Sequence, residues 1–170
     1  MPKGKSALPP LAFGNDVAIV HECAREFTDL IDRAIPGMNA YDPLTDPAAF
    51  RSKTARLQLP SMTVVATSIS PTRVDRWGNP TLTFLLPIAG DADAMCRIGR
   101  DTVRWGRGLG GIVMPQTDEA VVGDGGFRSH LIWNLQPDRL ARTAQAMLGV
   151  EAPVDLCLDR LRLDRKSTRL

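Results

Sequence analysis

The chain has 170 residues, which is room for one domain with a real core and little more. Its 44% hydrophobic and 24% charged content is ordinary for a globular protein, and no apolar run approaches the length of a membrane-spanning helix, so no membrane partner is expected. Five of the 21 basic and two of the 19 acidic side chains fall in the last twelve residues, DRLRLDRKSTRL; the remaining body is near neutral and carries no electrostatic footprint for nucleic acid.

Residues 1–14 read as a disordered leader. Two lysines without a long apolar stretch make a poor signal peptide, so the expected compartment is the cytoplasm. Cys23, Cys96 and Cys157 are odd in number and have no C-x-x-C spacing. They suit neither a disulfide framework nor a zinc site and read as buried free thiols.

Asn15 is a good N-cap with Asp16 behind it, and Val17, Val20, Ala24, Phe27 and Ile31 recur at helical steps. This predicts a helix of about five turns ended by Pro36-Gly37. Residues 36–47, rich in Pro, Asn and Asp, read as loop, with Asp46 capping a short helical turn that begins at Pro47. The sheet is expected to begin near Arg56, and Met62–Ser70, rich in Thr and Val, reads as a strand. Pro71–Pro80 reads as loop.

The segment 81–115 has the most regular pattern. Leu82, Phe84, Leu86 and Ile88 alternate with other residues at the period of a strand with one buried face. The pattern restarts at Ala94–Ile98 and at Val103–Trp105, and ends in Ile112-Val113-Met114 before Pro115. Ala120-Val121-Val122 is a short strand, Gly123–Gly126 a turn, and Phe127–Leu135 a long strand with Phe127, Ser129, Leu131, Trp133 and Leu135 on one face. Pro137 opens a helix lined by Leu140, Ala144, Met147 and Leu148 and stopped by Gly149. Val154–Leu163 reads as another helical piece. The expected fold is α+β and mainly β: a small antiparallel barrel with an N-terminal helix and C-terminal helices.

No catalytic constellation emerges. Gly106, Gly108 and Gly111 match G-x-G-x-x-G, but Ile112–Pro115 follow instead of a helix, so the glycines read as a turn. His21 and His130 have no H-x-H or H-x-x-x-H partner, and no metal is expected. His21 reads as a solvated helix residue; His130 shares a strand face with Arg128 and Asn134, opposite Trp133. Ser129 and His130 are strand neighbours that point to opposite faces, so they form no dyad. Asp91 and Asp93 read as turn residues. What remains is a barrel interior, with Phe84, Met95 (or Cys96), Trp105 and Trp133 as candidate ligand-lining residues.

Three segments carry a resemblance: LTFLLPIAG (Leu82–Gly90), MCRIGRDTVRWGRGLGGIVMP (Met95–Pro115) and FRSHLIWNLQPDRLARTAQAMLG (Phe127–Gly149). In order and spacing, residues 56–149 resemble the cupin-type N-terminal sensory domain of AraC/XylS transcriptional regulators. The resemblance implies residues 15–149 as a sensor barrel with its flanking helices, a small-molecule effector in the barrel and no cofactor. It also implies a homodimer paired through the helix bearing Leu140, Ala144 and Met147. It departs at Arg107-Gly108-Leu109, where the family commonly has Pro-Gly-Asp, and in lacking the histidine-rich motif of metal-binding cupins. Residues 150–170 read as a linker or helical tail ending in RKSTRL, which looks like a translated sequencing-adaptor remnant. DNA would be read by a domain that these residues do not provide. The rival expectations are a small cupin-type enzyme and a stand-alone small-molecule-binding module.

Overall fold

The computed structural model describes residues 8–35, 38–60, 62–76, 81–90, 94–98, 101–106, 110–114, 120–123, 126–149 and 162–163. In chain order the strands are β1 (Ile19–His21), β2 (Met38–Pro43), β3 (Ser52–Gln58), β4 (Met62–Ile69), β5 (Thr72–Arg76), β6 (Leu82–Gly90), β7 (Ala94–Ile98), β8 (Asp101–Trp105), β9 (Gly111–Met114), β10 (Ala120–Gly123), β11 (Arg128–Leu135) and β12 (Arg162–Leu163). Helix α1 spans Ala24–Ala34 and α2 spans Pro137–Leu148.

Among the described residues these strands form two antiparallel sheets, ordered β1-β3-β4-β11-β6-β9-β12 and β2-β5-β10-β7-β8. The pairings β4 with β11, β5 with β10, β6 with β9 and β7 with β8 are nested. Successive pairs alternate between the larger and the smaller sheet. This is one long hairpin rolled upon itself, the double-stranded arrangement of a small, mainly-β, cupin-like fold.

The rolling needs close backbone approach at Gly111, where a Cβ would stand 2.5 Å from the Leu85 carbonyl oxygen. Between β8 and β9, Gly106 and Gly110 form a bridge in which each amide donates to the other's carbonyl. A strand follows it, as the β-branched residues after the glycines require.

The core between the sheets contains Val65, Ile69, Leu85, Ile112, Met114 and Ile132 from the larger sheet and Val74, Cys96 and Trp105 from the smaller. Helix α1 extends it with Phe27 and Ile31, both fully buried. Phe27 packs edge-on to Tyr41 with centroids 4.7 Å apart and lies 5.9 Å from Phe50. Each such burial contributes about 1.5–3 kcal/mol.

Several expectations need correction. Helix α1 begins at Ala24, not near Asn15: residues 19–21 form the edge strand β1, and Val17 and Val20 are 68% and 63% exposed. Asn15 caps no helix; its Oδ1 accepts from Lys53 Nζ at 3.0 Å. Residues 8–14 lie against the larger sheet, with Leu11 buried on Ala55 and Ala66, and Ser129 Oγ donating to the Pro10 carbonyl. Two segments read as loop, 38–43 and 72–76, are the paired strands β2 and β5. The strand expected near Arg56 starts at Ser52, and β1 and β2 precede it. Cys23 is exposed while Cys96 is buried. The Asp46 turn is present, with Oδ1 accepting from the Ala48 amide at 3.0 Å. Helix α2 ends at Gly149 in the left-handed region, φ 67°, with its amide donating to the Gln145 carbonyl. Residues 91–93, 107–109 and 154–161, with Cys157 among them, lie outside the described residues; Arg162–Leu163 form a strand.

Candidate functional site in the barrel interior

The register of the larger sheet fixes which side chains face the interior. Across β3, β4 and β11, Thr54 pairs with Thr67 and Thr67 with His130; the next layer is Arg56, Val65, Ile132 and Leu85. Val65, Leu85 and Ile132 belong to the core, so Thr54, Thr67 and His130, which share their parity, face inward as well. Ser52 and Arg128 flank them one layer further along the same face.

Thr54, Thr67 and His130 therefore form a polar row, with neighbouring Cβ atoms about 5 Å apart. All three are at least nine-tenths buried. Trp105 meets the row from the smaller sheet, its ring edge-on to His130 at a centroid distance of 5.8 Å and 87°. Cys96 and Met114, with Sγ and Sδ 3.8 Å apart, supply apolar wall.

The chemistry of this row is unusual for a core. Ser52 Oγ, Thr54 Oγ1, Thr67 Oγ1, Trp105 Nε1 and His130 Nδ1 are buried and have no hydrogen-bond partner among the described residues. A buried polar group left unpaired costs about 1–3 kcal/mol. Five of them at full cost rival the entire stability of a typical domain, about 5–15 kcal/mol. A row of unpaired buried groups of this kind is where a bound water or ligand would find hydrogen-bond partners.

Burial holds the His130 imidazole down to a pKa of about 3, and the nearby Arg128 cation pushes the same way. At neutral pH the ring is uncharged and offers one donor and one acceptor nitrogen. Arg128 itself is anchored: both terminal nitrogens donate to the Thr72 carbonyl at 3.2 Å.

A divalent metal of the kind held by metal-binding cupins does not fit this row. Among the described residues no three His, Cys, Asp or Glu side chains converge. The neighbours of His130 across the sheet are Thr67 and Pro87, the Trp105 ring packs on it, and a guanidinium lies one layer away. The residues suit a neutral hydrogen-bonding ligand better.

Of the four ligand candidates from the sequence, the structure turns only Trp105 inward. Phe84 and Trp133 are cross-strand partners on the outer face of the larger sheet, half-buried and of opposite parity to Leu85 and Ile132. Met95 is 44% exposed on the outer face of the smaller sheet, while its neighbour Cys96 points in. The stripe Leu82, Phe84, Leu86 is likewise not the interior face; Thr83 and Leu85 are, and Ile88 falls at a bulge between Pro87 and Ala89. His130 does share its face with Arg128 and Asn134, opposite Trp133, but that face is the inner one. His21 sits on β1, not on a helix, 6.0 Å from the Phe27 ring. On α2, Leu140 and Ala144 are half-buried and Met147 is 81% exposed.

No family model matches the sequence, and no curated protein matches it. Solved structures do resemble the fold. The AraC-like transcriptional activator CuxR superposes with a TM-score of 0.57 at 10% identity, over 79% of this chain and 53% of that one. This likeness establishes a shared fold, and this chain spans about half the length of CuxR. A cupin superfamily protein from Desulfitobacterium hafniense matches at a TM-score of 0.42 and 13% identity, over 49% of this chain and 76% of that one. A conserved protein of unknown function from Streptococcus pyogenes matches at 0.43 and 17% identity, over 51% and 75%. Among the described residues no helix is long and apolar enough to cross a membrane.

Proposed function

We propose that this chain is a cytoplasmic effector-sensing and dimer-forming domain of an AraC-type transcriptional regulator, and that it is not an enzyme. The observation that carries the reading is the row of unpartnered buried polar groups at Thr54, Thr67, His130 and Trp105. A sensor needs a closed interior whose polar groups are satisfied only when the effector is in place. The row supplies donors and acceptors but no activated nucleophile, and its imidazole is held neutral. The shared fold with an AraC-like activator supports the same assignment. The effector in this reading is a small, neutral, polar molecule. Pairing of two copies falls to α2, through the stripe of Leu140 and Ala144 with Met147 at its margin.

Tryptophan fluorescence and thermal unfolding with a panel of neutral metabolites test the sensor. One or more compounds should raise the melting temperature and change Trp105 emission, and Trp105→Phe should remove the emission change. If no compound acts on the folded protein, the sensor reading fails. Sedimentation tests the pairing: a dimer that Leu140→Glu converts to monomer is expected, and a monomeric wild type contradicts it. Stoichiometric iron, manganese or zinc in purified protein would favour the enzyme reading.

A further inference from the structure

Four strands of the larger sheet present polar side chains at one rim of the barrel. Gln58, Thr63, Asn134 and Thr83 are successive cross-strand partners, and Thr81 stands just before β6. Their hydrogen bonds converge on two amide oxygens. Thr63 Oγ1 donates to Gln58 Oε1 at 2.9 Å, and Arg56 Nη2 donates to the same oxygen at 2.5 Å. The hydroxyls of Thr81 and Thr83 both donate to Asn134 Oδ1, the second at 3.4 Å. With the oxygens filled, the amide nitrogens are left to act. Gln58 Nε2 turns back to the carbonyls of Leu59 and Met62, at 3.2 and 3.5 Å. Asn134 Nδ2 has no acceptor among the described residues.

This rim walls an open cleft of about 300 Å³ that Gln136 and Arg139, at the start of α2, also line. That volume lies at the lower end of small-molecule sites. No carboxylate lines the cleft; Asp138, exposed on the same turn, is not among its walls. Gln136 is the N-cap residue of α2, yet its side chain caps nothing. The Arg139 side chain makes no hydrogen bond or ion pair among the described residues.

We propose that this rim cleft is a second binding site, for a small molecule bearing an oxyanion, either carboxylate or phosphate. The Arg139 guanidinium supplies charge and a two-pronged donor, and the Asn134 and Gln136 amides supply further N–H groups. The first turn of α2 adds a dipole of favourable sign. Three of these groups lie within six residues that join β11 to α2, so an occupant would tie the start of the helix to the barrel rim. The site is separate from the interior row and does not depend on the sensor reading.

The test is a ¹⁵N NMR titration of the full chain with inorganic phosphate, with succinate and, as a neutral control, with glycerol, at constant ionic strength. At least one anion should produce saturable shifts at the Asn134 and Gln136 side-chain amides and at Arg139, with no response to glycerol; which anion acts identifies the source of the oxyanion. Arg139→Gln should weaken that binding at least tenfold while leaving the Trp105 indole resonance in place as a check of the fold. The proposal is overturned if neither anion gives saturable shifts there, if Arg139→Gln binds as well as wild type, or if glycerol acts equally.

Discussion

Two polar rows cross the same face of the same sheet, separated by the layer of Arg56, Val65, Ile132 and Leu85. The inner row, Thr54, Thr67 and His130, keeps its polar atoms unpaired and buried under Trp105. The rim row, Gln58, Thr63, Asn134 and Thr83, hydrogen-bonds along itself and opens onto a cleft. The residue types overlap, since each row contains two threonines. What separates them is whether the strand places an amide beside each hydroxyl. Where it does, the row is self-satisfied and contributes to stability; where it does not, the hydroxyls cost stability until an outside partner arrives.

The largest way to break this contrast is to remove the layer between the rows. Ile132, fully buried, belongs to that layer. Ile132→Ala should cost about 2–5 kcal/mol in denaturant unfolding, and the interior row should then admit water, read as faster exchange of the Trp105 indole proton.

Acid acts on the inner row alone. The unfolded His130 takes its proton near pH 6.5, the folded one only near pH 3. Between those values the unfolded state binds the extra proton, so this contribution to stability is complete above pH 6.5 and is lost as the pH falls. The slope approaches about 1.4 kcal/mol per pH unit. Chemical denaturation at pH 7, 5.5 and 4.5 should show it, and His130→Gln should flatten it. Equal slopes in the two proteins would mean that the ring is not buried as described.

A matched pair of substitutions compares the rows directly. Thr83→Val removes a hydroxyl that donates to Asn134 and should cost about 0.5–1.5 kcal/mol. Thr67→Val removes a hydroxyl that has no partner among the described residues and should leave stability unchanged or raise it by about 1 kcal/mol in metabolite-free buffer. Similar losses in both would erase the distinction. The smallest effect belongs to Arg139→Gln at the exposed rim, within about 0.5 kcal/mol of wild type.

The sequence was informative where a strand or helix carries its own signals. Met62–Ile69 is rich in Thr and Val, Leu82–Gly90 and Arg128–Leu135 carry an alternating face, and α2 is bracketed by Pro137 and Gly149, so their positions could be read within a residue or two. The short strands β2 and β5 were hidden because Asp42-Pro43 and the flanking Pro71 and Gly78-Asn79-Pro80 read as loop; pairing with each other, not propensity, makes them strands. The stripe of α1 was overextended because Val17 and Val20 fall by coincidence on helical steps while the chain there is a turn and an edge strand.

The inner face was the harder matter. Alternation in β6 and β11 shows two faces but not which is inside. Residues 8–18 cover part of the outer face of the larger sheet, through Leu11 and Ala18 on Ala55, Ala66 and Leu131. Phe84, Leu86 and Trp133, also on the outer face, are apolar and half-buried and mimic a core, while the true interior mixes Leu85 and Ile132 with Thr67, Thr83 and His130. Parity placed His130 and Asn134 together correctly; the threonines at 54, 63, 67 and 83 were the unused signal that their face held polar sites.

The account rests on the inner row meeting a ligand, and the Trp105 indole N–H reports on that contact most directly. Its ¹⁵N–¹H resonance, assigned with Trp105→Phe, should be followed while neutral metabolites are titrated into the protein. The account predicts a saturable shift for at least one compound, lost in Thr67→Val while that variant stays folded. A resonance that no compound moves, or one that moves equally in Thr67→Val, would contradict it.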